Sequence, residues 1–274
     1  MKILISCDME GISGVVDWDH VDPGHPEYQR FRRIMTYDIN AAVRGAFDGG
    51  ATEVIVTDGH ENKRNIIYEE LDQRALLNCG AGLPLAIVQG AETGVNGALF
   101  IGFHARYGAP EALLCHTWSG VVRNLWLNEV LVGETGLCAA LCGHFNVPVI
   151  MVSGDDKVCA EATELLGELE KAVVKHSLSR LSAVCLPLEA AHGVIYDAAV
   201  SAVTRLTKGN IPAAYRLSTP IKMLVEVMEP EMMAPLEKVP GTKRLEGTRI
   251  AYTAKDMLEA FRVFREYNHL AADL

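Results

Sequence analysis

The chain has 274 residues, of which 49% are hydrophobic and 22% are charged, a composition typical of one large or two modest folded domains and not of a disordered or fibrous protein. Its formal net charge of -10 argues against binding to nucleic acid or to an anionic membrane, and no apolar run has the length of a transmembrane helix. The seven cysteines are scattered without a Cys-x-x-Cys pair, so we expect neither a disulfide framework nor a thiolate zinc site. We expect a cytoplasmic location, because free cysteines are typical of a reducing compartment.

Short β-branched runs alternate with longer amphipathic segments along the chain, which is the pattern of an α/β fold. The predicted strands cover residues 3–5, 53–57, 85–88, 98–103, 149–152, 222–228 and 249–253. The predicted helices cover residues 29–47, 134–144, 155–173, 188–207 and 255–270. We therefore expect three layers, with a mainly parallel sheet covered by helices on both faces, plus a smaller C-terminal α/β lobe.

Polar residues follow three of the predicted strands at the point where each strand ends. Asp8 and Glu10 follow the first strand, His60 follows the second, and His104 follows the strand over residues 98–103. In open α/β sheets the carboxyl ends of the strands surround one crevice, so these side chains are expected to meet although they are distant in sequence. Two carboxylates held side by side require a shared cation or proton, and together with two histidines they are suitable ligands for zinc or a similar divalent ion.

Two further residues extend this set. Glu134, at a predicted helix start, offers another carboxylate, and His116 offers a further imidazole. Each residue alone has a structural interpretation, since a glutamate at a helix N-terminus stabilises the helix dipole and single histidines often form structural hydrogen bonds. Their joint placement favours the metal site. Asp58 is a candidate for orienting His60 from behind, with an ordinary turn role as the alternative.

Several motifs resemble the DppA family of D-aminopeptidases, zinc peptidases of family M55. They are SCDMEGISG at residues 6–14, TDGH at 57–60, ALFIGFHA at 98–105, VGETGL at 132–137 and VPVIMVSGDD at 147–156. Shorter matches at residues 173–175 and 254–260 extend the likeness over nearly the whole chain. The sequence departs from the family at Cys115 and over residues 117–130, and residues 187–247 carry no recognised motif.

The resemblance implies a metallo-aminopeptidase that hydrolyses short peptides or amides with D-amino-acid N-termini, such as D-Ala-D-Ala, by a metal-activated water. It also implies a homodecamer of two stacked five-membered rings, with the active sites inside a channel. The expected partner is a small peptide substrate, and neither nucleic acid nor membrane is expected.

The same resemblance assigns roles to individual residues. It implies two zinc ions per subunit, which Asp8 bridges. Glu10 and His104 complete one zinc site, and His60 and Glu134 complete the other. His116 matches the family's proposed catalytic histidine.

The site residues and the composition suggest how the chain is divided. We expect a metal-binding α/β catalytic domain over residues 1–175. A smaller α/β lobe is expected over residues 176–274, with its C-terminal helix returning to the main domain. Residues 229–247, rich in Pro, Gly and charge, are predicted to form a loop or a connection between subdomains.

Other functions share parts of this pattern. Another two-metal amidohydrolase or a phosphoesterase would use similar ligands, and a non-catalytic peptide-binding protein would keep the fold without turnover. A dinucleotide-binding domain is disfavoured, because Asp-x-Glu-Gly follows the first strand where a Gly-x-Gly-x-x-Gly turn would be required.

Overall fold

A computed structural model describes residues 1–272 of the chain. Its strands, in chain order, are β1 (Lys2–Cys7), β2 (Glu53–Asp58), β3 (Ala75–Asn78), β4 (Gly97–Phe103), β5 (Val122–Leu127), β6 (Val130–Val132), β7 (Val149–Asp155), β8 (Glu170–Ser179), β9 (Ser182–Cys185), β10 (Ile221–Val227), β11 (Lys243–Arg244) and β12 (Arg249–Ala254). Its α-helices are α1 (Tyr28–Asp48), α2 (Glu134–His144), α3 (Asp156–Leu166), α4 (Leu188–Thr207), α5 (Met233–Leu236) and α6 (Met257–Ala272). None of the helices within these residues is both long and apolar enough to span a bilayer.

The main sheet has seven strands in the order β3-β2-β1-β4-β7-β8-β9, all parallel except β9, which runs antiparallel to β8. Side chains alternate between its two faces. Ile3 and Ile5 belong to a buried cluster with α1 and α4, whereas Leu4 belongs to the cluster that contains α2 and α6. Helices therefore cover both faces, and the predicted α/β fold is confirmed.

A second sheet of five antiparallel strands has the order β11-β12-β10-β5-β6. Its buried residues, among them Leu125 and Val225, join the same core cluster as α2 and α6. The strands of this sheet come from both sides of residue 175. The predicted division at that residue stays a prediction, and it does not coincide with the division into two sheets.

Two predicted elements are wrong. The apolar run over residues 85–88 is not a strand but a buried 3-10 turn over Ala86–Val88, since burial alone does not distinguish a strand from a packed turn. The edge position beside β2 is occupied by β3, which the sequence analysis missed. The helix predicted over residues 155–173 ends at Leu166, because Gly167 adopts φ 82° at its C-terminus and the chain then enters β8.

Candidate metal centre

The loop after β1 brings two carboxylates to the carboxyl edge of the main sheet. In the sheet register, Cys7 at the end of β1 pairs with Asp58 of β2 and Ile101 of β4, so residues that follow these three strands start from the same edge. Gly11 donates its N–H to the carbonyl of Gly102 over 2.8 Å, and a Cβ on Gly11 would lie 1.9 Å from the carbonyl oxygen of Phe103. Only glycine permits this close packing, which fixes the loop against the end of β4.

The carboxylates and imidazoles predicted to bind metal converge on Asp8. Nδ1 of His60 lies 3.4 Å from Oδ1 of Asp8 and 3.2 Å from Oε2 of Glu10. Nε2 of His104 lies 3.4 Å from Oδ2 of Asp8 and 2.8 Å from Oε1 of Glu134. The two oxygens of Asp8 thus face two different histidines, as expected of a bridging carboxylate. We call these five residues, Asp8, Glu10, His60, His104 and Glu134, the ligand cluster.

The division of the ligand cluster into two sites stays a prediction. Ligand atoms of Asp8, Glu10 and His104 lie within 4.8 Å of one another, which fits the first predicted site. The short contacts of His60 are with Asp8 and Glu10, and those of Glu134 are with His104 and His116, so the second predicted pair is drawn from opposite ends of the cluster.

The histidine rings are oriented by backbone carbonyls on the side away from the carboxylates. Nε2 of His60 donates to Val21 O over 2.9 Å, and Nδ1 of His104 donates to Ala105 O over 3.0 Å. The opposite ring nitrogen then carries a lone pair or a second proton toward the carboxylates. Second hydrogen bonds of this kind fix the tautomer of metal-binding histidines. The arrangement therefore suits imidazoles that donate a lone pair to a cation.

The electrostatics of the ligand cluster call for positive charge. Burial alone would lower the pKa of His60, but the carboxylates of Glu10 and Asp8 raise it well above the usual value. Burial also disfavours charge on His104, yet Glu134 and Asp8 raise its pKa well above the usual range. Burial would raise the pKa of Asp8, whereas the two histidines lower it well below its usual value. Protons or metal ions must supply this charge, and buried carboxylates without either are costly.

His116 lies at the edge of the ligand cluster that faces the cleft. Its Nε2 is 3.5 Å from Oε1 of Glu134 and 3.7 Å from Oε1 of Glu10, and its Nδ1 donates to Leu114 O over 2.9 Å. Its ring stacks on that of His104 with centroids 3.9 Å apart. The side chain of His116 is 14% exposed against 2% for His104, so His116 is the more accessible histidine.

Asp58 supports the loop that carries His60 and does not bond to the imidazole. Its carboxylate accepts hydrogen bonds from the N–H groups of Asn65 and Ile66 over 2.6 and 2.9 Å and from Nδ2 of Asn65 over 2.7 Å. Asn65 Nδ2 also donates to the carbonyl of His60 over 2.7 Å. Hydrogen bonds therefore link Asp58 to His60 only through Asn65 and the backbone, while the two side chains also interact through their charges.

Lys175 holds the Glu10 loop from the β8 side, a role that the sequence analysis did not assign. Its buried ammonium donates to the carbonyls of Glu10, Ile12 and Val15 over 2.7, 2.8 and 2.6 Å. Burial lowers the pKa of Lys175 to about 8. Lys175 follows the buried Val174 but precedes the exposed His176, so the local pattern gives no signal of its burial. A buried lysine normally has partners, and here they are these three carbonyls.

The ligand cluster opens into a cleft of about 750 Å³. Aromatic and apolar side chains, including Trp18, Trp118 and Ile87, form part of its wall. Basic groups from Lys63, Arg180 and Arg265 form another part. The volume lies within the range of small-molecule sites, so the cleft has room for a short peptide.

The donor set fits zinc. Oε2 of Glu10 and Nε2 of His104 are buried and form no hydrogen bond within residues 1–272, although each lies within 3.4 Å of a charged neighbour. Buried polar atoms are normally satisfied, so two of them directed into one cluster indicate a missing partner. Imidazole nitrogen and carboxylate oxygen are the ligands that zinc accepts in open sites.

Comparisons with known proteins agree with this chemistry. A model of the D-aminopeptidase family, Peptidase_M55, matches residues 1–266. The chain is 36% identical over 272 residues to a D-aminopeptidase of Bacillus subtilis (strain 168), which covers 99% of this chain and 98% of that protein. Among solved structures, the Zn-dependent D-aminopeptidase DppA from Bacillus subtilis, described as a self-compartmentalizing protease, matches with a TM-score of 0.96 and 34% identity over 100% of this chain and 99% of that one.

Proposed function

The chain belongs to the D-aminopeptidase family, and from this membership we propose that it is a zinc-dependent aminopeptidase that hydrolyses short peptides or amides with D-amino-acid N-termini. One observation of the site carries the proposal: three buried carboxylates and two buried imidazoles converge at the inner end of a cleft with room for a peptide. The family membership favours this activity over a phosphoesterase and over a peptide-binding protein without turnover.

We propose that the ligand cluster holds two zinc ions, with Asp8 between them. The two oxygens of Asp8 face His60 and His104, which supports a bridging role for this carboxylate. Glu134 is oriented by the N–H of Trp118, which donates to its Oε1 over 2.8 Å. Zinc bound here supplies a Lewis acid for the peptide carbonyl and lowers the pKa of water.

His116 is proposed to move the proton. Because Nδ1 of His116 donates to Leu114 O, its Nε2 is the atom that accepts a proton from the attacking water and returns it to the leaving amine. Imidazole suits this exchange near neutral pH. Trp18 and Trp118 form an aromatic part of the cleft wall, and the ring centroid of Trp18 lies 5.3 Å from that of His116.

Chelation tests the proposed function. We expect the purified protein to hydrolyse D-alanine p-nitroanilide or a D-Ala dipeptide, to lose this activity on complete removal of metal, and to regain it on addition of zinc. Metal analysis before and after chelation gives the number of ions per subunit, with two expected. Full activity in metal-free protein would contradict the proposal.

We also propose that the protein assembles into a homo-oligomer, a decamer by family resemblance. The related structure is described as self-compartmentalizing, which requires several copies. The hairpin of β8 and β9 exposes Leu178, Leu181 and Val184 by 60, 53 and 57%, and such apolar groups favour burial against another copy. Light scattering after size exclusion measures the assembly, and a monomeric mass would refute the proposal.

A cytoplasmic location is proposed on the chemistry of the cysteines. All seven are free thiols, five of them buried, as expected of a protein from a reducing compartment. Cell fractionation with an antibody against the chain tests this proposal, and recovery outside the cytoplasmic fraction would contradict it.

A further inference from the structure

Two basic side chains line the same cleft as the ligand cluster, and the proposed reaction gives them no role. Lys63 lies in the loop after β2, and Arg265 lies on α6. Both are partly buried. Burial and the charge of Arg265 lower the pKa of Lys63, whereas the carboxylates of Asp58, Asp8 and Glu61 act in the opposite direction. Arg180 also lines the cleft, but it is exposed and its charge is solvated.

Neither cation is neutralised by an ion pair within residues 1–272. Nζ of Lys63 donates to the carbonyl of Glu61 over 3.0 Å. Nη1 of Arg265 donates to the carbonyls of Leu83 and Pro84 over 3.1 and 2.9 Å. These bonds hold both side chains in place and leave two N–H groups of Lys63 and the Nη2 edge of Arg265 for a ligand. Two cations that line one cleft, neither of them in an ion pair with a carboxylate, are a suitable site for an anion.

The loop that presents Lys63 is built with some strain. Lys63 adopts φ 60°, a conformation that residues with a side chain rarely take. Its backbone is fixed on both sides, since its N–H donates to His60 O over 2.8 Å and its carbonyl accepts from the N–H of Gly80 over 2.7 Å. Strained residues held in this way are concentrated at ligand sites.

The position of Lys63 relative to the ligand cluster sets the length of the anionic ligand. The hydrogen bond from Lys63 N to His60 O closes one tight turn, so their Cα atoms are separated by less than about 7 Å. Two extended residues span about 7 Å. A dipeptide with its N-terminal residue at the ligand cluster would therefore place its C-terminal carboxylate near Lys63.

We propose that Lys63 and Arg265 bind the C-terminal carboxylate of the substrate and so select free dipeptides over peptide amides and longer chains. This inference rests on the proposed aminopeptidase function. Lys63 and Arg265 act as specificity residues, because they contact the end of the substrate away from the bond that breaks.

The test compares two substrates that differ only in this carboxylate, D-Ala-D-Ala and its C-terminal amide. We expect the zinc-loaded wild type to prefer the free acid by about 10- to 100-fold in kcat/KM, as charge-assisted hydrogen bonds of this kind predict. Lys63→Gln and Arg265→Gln should each reduce this preference several-fold, mainly through KM, and the double variant should abolish it. Arg265→Lys, which keeps the charge, should retain most of it.

The matched controls are Arg64→Gln, exposed beside Lys63, and Arg262→Gln, whose side chain is 76% exposed on the same helix as Arg265. Both should keep the wild-type preference. A wild type that cleaves the acid and the amide equally well would overturn the inference without any variant being needed, and so would a double variant with full preference. In either case cleavage itself leaves the aminopeptidase function standing. A wild type that cleaves neither substrate nor D-alanine p-nitroanilide refutes the function and the inference together.

Discussion

Two sets of buried polar residues lie in or against the loop after β1. They differ in whether their polar atoms have hydrogen-bond partners. The ligand cluster leaves Oε2 of Glu10 and Nε2 of His104 without hydrogen bonds within residues 1–272. The second group, which we call the loop anchor, consists of Lys175, Asp38 and Ser13. Lys175 donates to three carbonyls, and Asp38 accepts from the N–H and Oγ of Ser13 over 2.9 and 3.0 Å.

This difference separates a functional from a structural role more clearly than burial or charge does. Both groups are buried and contain ionisable side chains, so neither burial nor charge distinguishes them. Fully paired polar groups stabilise one conformation, whereas unpaired ones directed to a common point indicate a ligand. The loop anchor thus holds the backbone that carries Glu10, and the ligand cluster is free to bind metal. Substitutions in and beside the ligand cluster should therefore affect turnover or metal binding, whereas substitutions in the loop anchor should affect the free energy of unfolding.

The largest effect is expected at the cleft edge of the ligand cluster. His116→Ala should keep both metal ions and lose about 100- to 10,000-fold in kcat, because the proton acceptor at Nε2 is gone. The free energy of unfolding should change by less than about 1 kcal/mol, since His116 is partly exposed. Metal analysis, kinetics and urea unfolding measure the three quantities.

His144→Ala, an exposed histidine at the end of α2, is the control and should behave as wild type. Loss of a metal ion from His116→Ala would make His116 a ligand, as its grouping with His104 and Glu134 permits. Undiminished turnover would remove His116 from the mechanism.

A change in the loop anchor should lower stability, in contrast to His116→Ala, which should lower kcat and leave stability almost unchanged. Lys175→Met should lower the free energy of unfolding by about 2–4 kcal/mol, because three buried carbonyls lose their donor while only the cost of burying one charge is relieved. Urea unfolding in the presence of chelator isolates this effect from metal binding. Lys171→Met, exposed on the same strand, should change stability by less than about 0.5 kcal/mol. Equal stability of the two variants would mean that Lys175 does not anchor the loop.

The smallest effect is expected at Asp58, whose hydrogen bonds reach the ligand cluster only through Asn65. Asp58→Asn replaces one acceptor oxygen by a donor that faces the N–H groups of Asn65 and Ile66. We expect zinc affinity to fall about tenfold, with little change in the turnover of the loaded enzyme. Competition with a chelator of known affinity measures this change, and exposed Glu69→Gln is the control. Unaltered affinity would restrict Asp58 to an ordinary turn role.

The elements predicted from local pattern and those missed differ in what specifies them. Helices α2 and α4 match the predicted residues 134–144 and 188–207, because an amphipathic or helix-forming run is a property of the segment itself. The hairpin of β5 and β6 was missed because its turn, Asn128 and Glu129 at φ 48° and 73°, lacks the usual glycine. Strand β8 was missed because the stop at Gly167 was read as part of a helix.

The sequence by itself determined the α/β class and the set of metal-compatible residues. The reason is that a strand and the carboxylates or histidines that follow it lie in one short segment of the sequence. Only the tertiary structure decided which histidine faces which carboxylate and how β5 and β6 join β10 and β12. It also decided that Lys63 and Arg265 line one cleft although some two hundred residues separate them along the chain. Such pairings depend on how distant segments pack. Residue periodicity indicates only the secondary structure of a local segment, so it contains no information on which distant segments pair.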